Sequence, residues 1–166
     1  MKLIPLTGGK FSVVDDVDFD SVNRFKWCHT VNGSGADRGY AVRRRVLPSG
    51  KVTRQYLHQF ILGVTRPYYV DHKNGNPLDN QRVNLRICTQ SQNMGNAKKR
   101  KNVSSKFKGV SFYKSRGKWE AYIKANGVFV KLGYFATEIE AAKAYDNAAI
   151  ANFGEFAKTN KDLGLL

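Results

Sequence analysis

The chain has 166 residues, 42% apolar and 12% aromatic, which suits one folded domain or two small ones. Its 28 Lys and Arg against 13 Asp and Glu leave a net charge of +15, which predicts attraction to a polyanion, either nucleic acid or an anionic membrane. No apolar run approaches the roughly 20 residues of a spanning helix, which favours nucleic acid over a membrane, and MKLIPLTGGKF is too short an apolar start for a signal peptide, so an intracellular protein is expected.

In chain order, KFSVVDD (10–16) reads as a short strand closed by acidic turn residues, and DFDSVNRFKW (18–27) as a helical turn started by Asp18 or Asp20. Cys28 and His29 read as strand packing. With Cys88 the only other cysteine, and no C-x-x-C or H-x-x-x-H spacing, a structural zinc site is not expected. The two cysteines read as buried thiols rather than a disulfide.

Tyr40–Val46 and Val52–Tyr56 flank the turn LPSGK, which predicts a β-hairpin carrying Arg43, Arg44, Arg45, Lys51 and Arg54. LHQFIL then predicts a short helix ended by Gly63 in a left-handed cap. Tyr68–Val70 leads into VDHKNGN, where Asp71 and His72 stand side by side before an Asn/Gly turn. Further on, Thr89 and Gln92 form a T-x-x-Q capping box that starts a helix near Gln90. AKKRKNVSSK (97–106) is polar and basic, a linker by composition and a candidate phosphate contact. Residues 1–96 hold 14 basic and 7 acidic residues and residues 97–166 hold 14 and 6, so both parts are cationic.

The second part alternates apolar and polar residues over 107–113, 119–124 and 128–135, with Ser-Arg-Gly in the first turn and Asn-Gly in the second. That predicts a three-stranded antiparallel meander. Thr137 and Glu140 form another capping box, and Gly154 marks the stop of an Ala-rich helix suited to cover one sheet face. The other face is left to the Lys and Arg of the strands. Trp119, Phe112, Phe129 and Tyr145 could stack on bases, but at alternating positions they read as sheet–helix core.

Adjacent residues on a strand leave on opposite faces, so Asp71 and His72 cannot easily share one metal. They could flank one phosphate from two sides, a base on one and a cation on the other. If the helix at 90 packs against the strand holding Asp71, that carboxylate and the Asn93 amide oxygen can meet. Both are hard oxygen donors, suited to Mg²⁺ or Mn²⁺. Asn84 is placed to pin the intervening loop. His72, near neutral pH, can serve as a free base. The plain alternative is an Asn-rich turn before a structural helix.

VDHKNGNPLDNQRVNLRICTQSQN resembles the ββα-metal core of HNH endonucleases, in the variant opened by Asp-His and closed by Asn. The matching positions are Asp71-His72, Asn74-Gly75, Asp79-Asn80, Arg82, Asn84-Leu85-Arg86, Thr89 and Asn93. The resemblance implies His72 as general base, Asp71 and Asn93 as metal ligands and Asn84 as the structural middle Asn. YLHQFILG, with His58, resembles the lead-in helix of this group, and His58 reads as packing or a phosphate contact. Residues 106–160, through KGV, GKWEAYI, LGYF, EAAKAYDNAA and GEFAKTN, resemble the ethylene-response-factor (Apetala) type of DNA-binding domain. That family implies a sheet entering the major groove with a helix behind it.

The expectation is an α+β chain. Residues 1–96 form a ββα-metal nuclease domain with a β-hairpin scaffold and 97–105 a basic linker. Residues 106–160 form a three-stranded sheet packed on one helix, followed by a tail at 161–166. Its activity is expected to be hydrolysis of double-stranded DNA by a homing-type endonuclease with one Mg²⁺ (or Mn²⁺), as a monomer or homodimer, in a phage or mobile-element context. His72 and Asn84 are the catalytic candidates and Asp71 and Asn93 the metal candidates. DNA contacts are expected from Arg43, Arg45, Arg82, Arg86, Lys98, Lys99, Arg100, Lys108, Ser111, Tyr113, Arg116, Lys118, Tyr122, Lys124 and Lys131. The alternative is a non-catalytic DNA-binding regulator with an inert nuclease core. An RNA-binding protein is a third reading.

Overall fold

A computed structural model describes residues 1–31, 39–97 and 104–166. The chain divides into two units, Met1–Cys88 and Thr89–Leu166. The architecture is mixed α+β, built from small antiparallel sheets.

In the first unit, β1 (Lys2–Pro5) pairs with β2 (Phe11–Val14), and α1 (Asp16–Asn23) follows. The helix begins with Asp15 as its N-cap, earlier than the expected Asp18 or Asp20. Asp18 is instead buried on the helix and bonded elsewhere. Strand β3 (Cys28–Val31) joins the expected hairpin of β4 (Gly39–Val46) and β5 (Val52–Tyr56) into a three-stranded sheet. Cys28 is exposed, against the expectation of a buried thiol, whereas Cys88 is buried; both are free. Helix α2 (Leu57–Leu62) ends on Gly63 at φ 66°, ψ 22°, the left-handed cap expected.

The last two strands, β6 (Tyr69–His72) and β7 (Leu85–Cys88), form an antiparallel pair with Asp71 opposite Arg86 and His72 opposite Leu85. Ile4, Leu6, Val14, Val22, Trp27, Leu57, Ile61, Val70 and Leu85 are buried together, drawn from nearly every element. Burying each such large side chain is worth about 1.5–3 kcal/mol, so this small core holds several short sheets in place.

In the second unit, α3 (Gln90–Gly95) opens with the expected capping box: Gln92 N donates to Thr89 Oγ1 and Thr89 N to Gln92 Oε1. The meander follows as β8 (Val110–Tyr113), β9 (Lys118–Ala125) and β10 (Val128–Phe135), in the order β10–β9–β8. Its second turn has Asn126 at φ 50° and Gly127 at φ 82°, the positive pair that Asn-Gly favours. A bulge between Lys131 and Gly133 shifts the β10 register. Helix α4 (Glu138–Phe153), capped by Thr137 and Glu140, packs Ala141, Ala142 and Tyr145 inward. Its small side chains share a core with Phe107, Val110 and Ala121. Asn160, fully buried, accepts from Lys108 N and donates to Lys108 O and Asp146 Oδ1, tying the start of the meander to α4.

Candidate functional site

The β6–β7 connection, residues 73–84, is built from asparagines that replace regular secondary structure with side-chain bonds. Asn74 Oδ1 accepts from Asn76 N at 2.8 Å, and Asn76 Oδ1 accepts from Leu78 N at 3.1 Å. Asn84 closes the loop: its Oδ1 accepts from Asn74 N at 3.0 Å and its Nδ2 donates to Asp79 O at 2.7 Å. Its own carbonyl accepts from Lys73 N. Among the described residues these bonds place Asn84 as a loop clamp, with its amide directed at backbone groups.

Asp71 and His72 leave β6 in different directions, as strand alternation requires. Asp71 pairs with its cross-strand neighbour: Arg86 Nε and a terminal nitrogen each lie 2.8 Å from Asp71 Oδ2. Both side chains are largely buried. His72 joins a cluster with Asn80, His58, Tyr40 and Tyr56. The His58 and His72 rings meet edge to face at 5.1 Å and 87°, and Tyr56 stacks on His58 at 5.4 Å. Tyr40 sets an edge against His58 and lies 6.3 Å from His72.

A chain of hydrogen bonds fixes the tautomer of His72. Ser12 Oγ donates to Leu78 O, which can only accept. The Ser12 oxygen therefore accepts from Asn80 Nδ2, at 2.8 Å, and Asn80 Nδ2 also donates to Pro77 O at 3.3 Å. The Asn80 amide is thus oriented without ambiguity. Its Oδ1 faces His72 Nε2 at 3.2 Å, so Nε2 carries the hydrogen. In the neutral ring the lone pair then resides on Nδ1.

Burial lowers the His72 pKa, opposed by the Asn80 bond and by the Asp71 and Asp79 carboxylates. Burial and then the charge of His72 lower His58 to about 3. Both rings are therefore neutral near pH 7.

Asn93 lies on α3, in the second unit, and its backbone nitrogen donates to Thr89 O at 3.0 Å. Among the described residues no group of three or more His, Cys, Asp or Glu side chains is placed to hold a metal ion. The expected donor pair, one carboxylate and one amide, is a sparser set with the oxygen chemistry of Mg²⁺ or Mn²⁺.

The expected DNA contacts separate sharply. Arg82 makes a two-pronged pair with Asp18, both bonds 2.8 Å, and its backbone nitrogen donates to Asp15. The hydrogen bonds to Asp18 make the Arg82 guanidinium hold its proton more firmly, raising the Arg82 pKa. Arg86 is bound to Asp71. Arg43 stacks over Phe25 at 3.5 Å and donates to Gln55, while Arg45 is exposed. Lys108 departs most from expectation: it is buried, and its Nζ donates to Gly95 O at 2.7 Å and Lys158 O at 3.1 Å. Burial lowers its pKa to about 8. Lys98, Lys99 and Arg100 lie outside the described residues.

Ser111, Tyr113, Lys118, Tyr122, Lys124 and Lys131 share the sheet face opposite α4, and Arg116 is exposed in the turn before β9. On the helix side of the same sheet stand Trp119, Phe112 and Ile123. Phe129, expected in the core, is 67% exposed and lies opposite Lys124 on the outer face. Strand alternation with Lys131 carries the signal that places it there. Asn80 was given no role from the sequence, where it is one of several loop asparagines; only its distant partner Ser12 distinguishes it.

Residues 63–95 match the family model described as HNH endonuclease, and residues 105–155 match the AP2 domain. Over 159 residues the chain is 32% identical to "Uncharacterized HNH endonuclease L560" of Acanthamoeba polyphaga mimivirus, spanning 92% of this chain and 76% of that protein. Over 64 residues it is 38% identical to "Protein 3.8" of Escherichia phage T7, spanning 39% of this chain and 53% of that protein. "APETALA2-like protein 2" of Oryza sativa is 47% identical over 60 residues, 36% of this chain but 14% of that protein. No solved structure matches. The chain belongs to the HNH endonuclease family and carries an AP2 domain in its second unit. Membership points to nuclease chemistry and the AP2 domain to DNA binding, and two of the relatives are viral. No helix of the described residues is long and apolar enough to cross a membrane.

Proposed function

We propose that the chain is a homing-type DNA endonuclease in which His72 is the general base of phosphodiester hydrolysis. The observation that carries this reading is the bond chain Leu78–Ser12–Asn80–His72, which supports a neutral imidazole with its lone pair on Nδ1. A general base needs that protonation state and a fixed ring direction. Nδ1 takes a proton from water as its oxygen bonds to the scissile phosphorus and the P–O3′ bond breaks. The departing 3′ oxygen takes a proton from solvent water and ends as a hydroxyl, and the phosphate stays on the 5′ side. Asn84 holds the loop that follows His72.

Asp71 would supply a carboxylate oxygen to Mg²⁺ or Mn²⁺, the hard donor such a cation prefers. When bound, such a cation neutralises charge growing on the phosphate and the leaving oxygen. The outer face of the second unit supplies the grip on double-stranded DNA.

Burial favours the rival reading, a DNA-binding regulator with an inert core. Residue His72 is 6% exposed and Asp71 5%, and water must reach the ring for catalysis. Plasmid nicking with Mg²⁺, wild type against His72→Ala, decides between them. Nicking that the variant loses while binding persists supports the enzyme. Binding without nicking by either protein supports the regulator.

A further inference from the structure

The outer face of the β8–β9–β10 sheet carries an aromatic set that duplex binding does not require. Tyr113 lies on β8, Tyr122 on β9, and Phe129 and Tyr134 on β10. Tyr113 and Tyr134 meet at 5.3 Å, and Tyr122 and Phe129 at 6.4 Å. Phe129 is 67% exposed, a large apolar ring open to water among lysines.

The bulge in β10 makes the set possible. Lys131 is opposite Tyr122, but Gly133 is opposite Ala121, so Leu132 is the inserted residue. The insertion turns Tyr134 onto the face that unbroken alternation would have denied it. Gly133, at φ 144°, accommodates the distortion.

Cations accompany the rings. Lys124 Nζ lies 4.8 Å from the Phe129 centroid, and the Arg116 guanidinium 4.8 Å from that of Tyr134. The one carboxylate on the face, Glu120, is paired with Lys131 at 3.0 Å, which also donates to Tyr134 Oη. The face is therefore positive and aromatic, complementary to a strand that offers phosphates and bare ring faces. Its strand positions hold no Arg, Asn or Gln, so any base-edge reading there is left to lysines and Ser111, while the rings offer stacking surface.

We propose that this face binds unpaired nucleotides of single-stranded DNA, with bases stacked on Phe129, Tyr122, Tyr134 and Tyr113 and phosphates held by Lys124, Lys118 and Arg116. The proposal deepens the reading that DNA is the ligand. It assigns to the sheet a strand whose bases are free to stack, as a nicked and locally opened duplex provides. Aromatic stacking tolerates any base, so this contact is independent of sequence.

The test uses the full chain in chelator, at fixed salt, with three fluorescent probes: an oligothymidylate, the same strand made abasic, and the thymidylate paired in a duplex. Phosphates are common to all, so only stacking separates the first two. Wild type should bind oligothymidylate at least about tenfold more tightly than the abasic strand, from stacking on more than one ring. Phe129→Ala and Tyr122→Ala should remove most of that preference and leave abasic affinity unchanged, which also shows that the variants fold. Equal binding of the two single strands by wild type overturns the proposal. So does a preference that survives both variants, or a loss confined to the duplex, which would place Phe129 against thymine methyl groups in a groove. Plasmid nicking with Mg²⁺ is read separately: if it persists while the stacking preference is absent, only this proposal fails.

Discussion

The two units handle polar chemistry in opposite ways. Around β6 and β7, polar groups are withdrawn from water and spent on each other: Asp71 on Arg86, His72 on Asn80, Asn80 on Ser12. On the outer face of the AP2 domain, cations and rings stand exposed, with few internal bonds among them. A buried network fixes direction and protonation state but admits few partners. An exposed face admits any complementary partner, and its strength depends on salt. Substitutions in the first unit should therefore act on rate and stability, and those in the second on affinity.

The sharpest break would come at His72. His72→Ala should lower the nicking rate at least about a hundredfold, the usual scale of a lost general base, with DNA affinity unchanged in a gel-shift assay. An equal loss of affinity would move His72 from chemistry to binding, and the contrast between units would fail.

Asn80 sharpens the comparison because it never touches DNA in the proposed mechanism. Asn80→Ala should slow nicking at saturating DNA by about tenfold, through loss of ring orientation, with the DNA concentration for half-maximal rate unchanged. Thermal melting should show a stability loss of about 1–3 kcal/mol, since Ser12 Oγ and Pro77 O lose their donor in a buried site. If melting changes and the rate at saturation does not, Asn80 is only a core residue.

Local rules were enough for most elements. The hairpin, the Gly63 cap, both capping boxes and the Asn126-Gly127 turn are each decided by residues within a few positions of one another. The same holds for Asn84, whose partners Asn74 and Asp79 belong to its own loop. What could not be read depends on distance along the chain. Asn80 is bonded 68 residues away at Ser12, and Arg82 is bonded 64 residues away at Asp18. Charge and position in the matched motifs mark Arg82 and Lys108 as DNA contacts; the carboxylate and carbonyl groups that occupy them come from other elements. Phe129 follows strand parity rather than hydrophobicity: it shares the outer face with Lys131 despite its apolar ring.

His58 offers a pH test of burial in the first unit. Its folded pKa is lowered to about 3, while an unfolded imidazole binds a proton near the ordinary 6.5. Between those values the unfolded chain holds the extra proton. Stability should therefore fall as pH drops through that window, by up to about 1.4 kcal/mol per pH unit from this one group, and be fully present above it. Urea melts of wild type and His58→Phe at pH 7 and pH 5 check this. The variant should lose less stability over that interval, and identical losses would mean that His58 is more open than its neighbours imply.

The smallest effect comes from two lysines that look alike in sequence. Lys124 stands on the outer face beside Phe129, while Lys108 is buried with its Nζ on two carbonyl oxygens. Lys124→Ala should reduce the magnitude of the slope of log affinity against log salt for duplex DNA by about 0.9, one phosphate contact, and leave melting unchanged. Lys108→Ala should do the reverse, lowering the melting temperature while the salt slope stays at the wild-type value. The pair separates position on the sheet from charge, because both substitutions remove one lysine from the same domain. Equal salt slopes for the two variants would show that net charge, not the outer face, governs the grip on DNA.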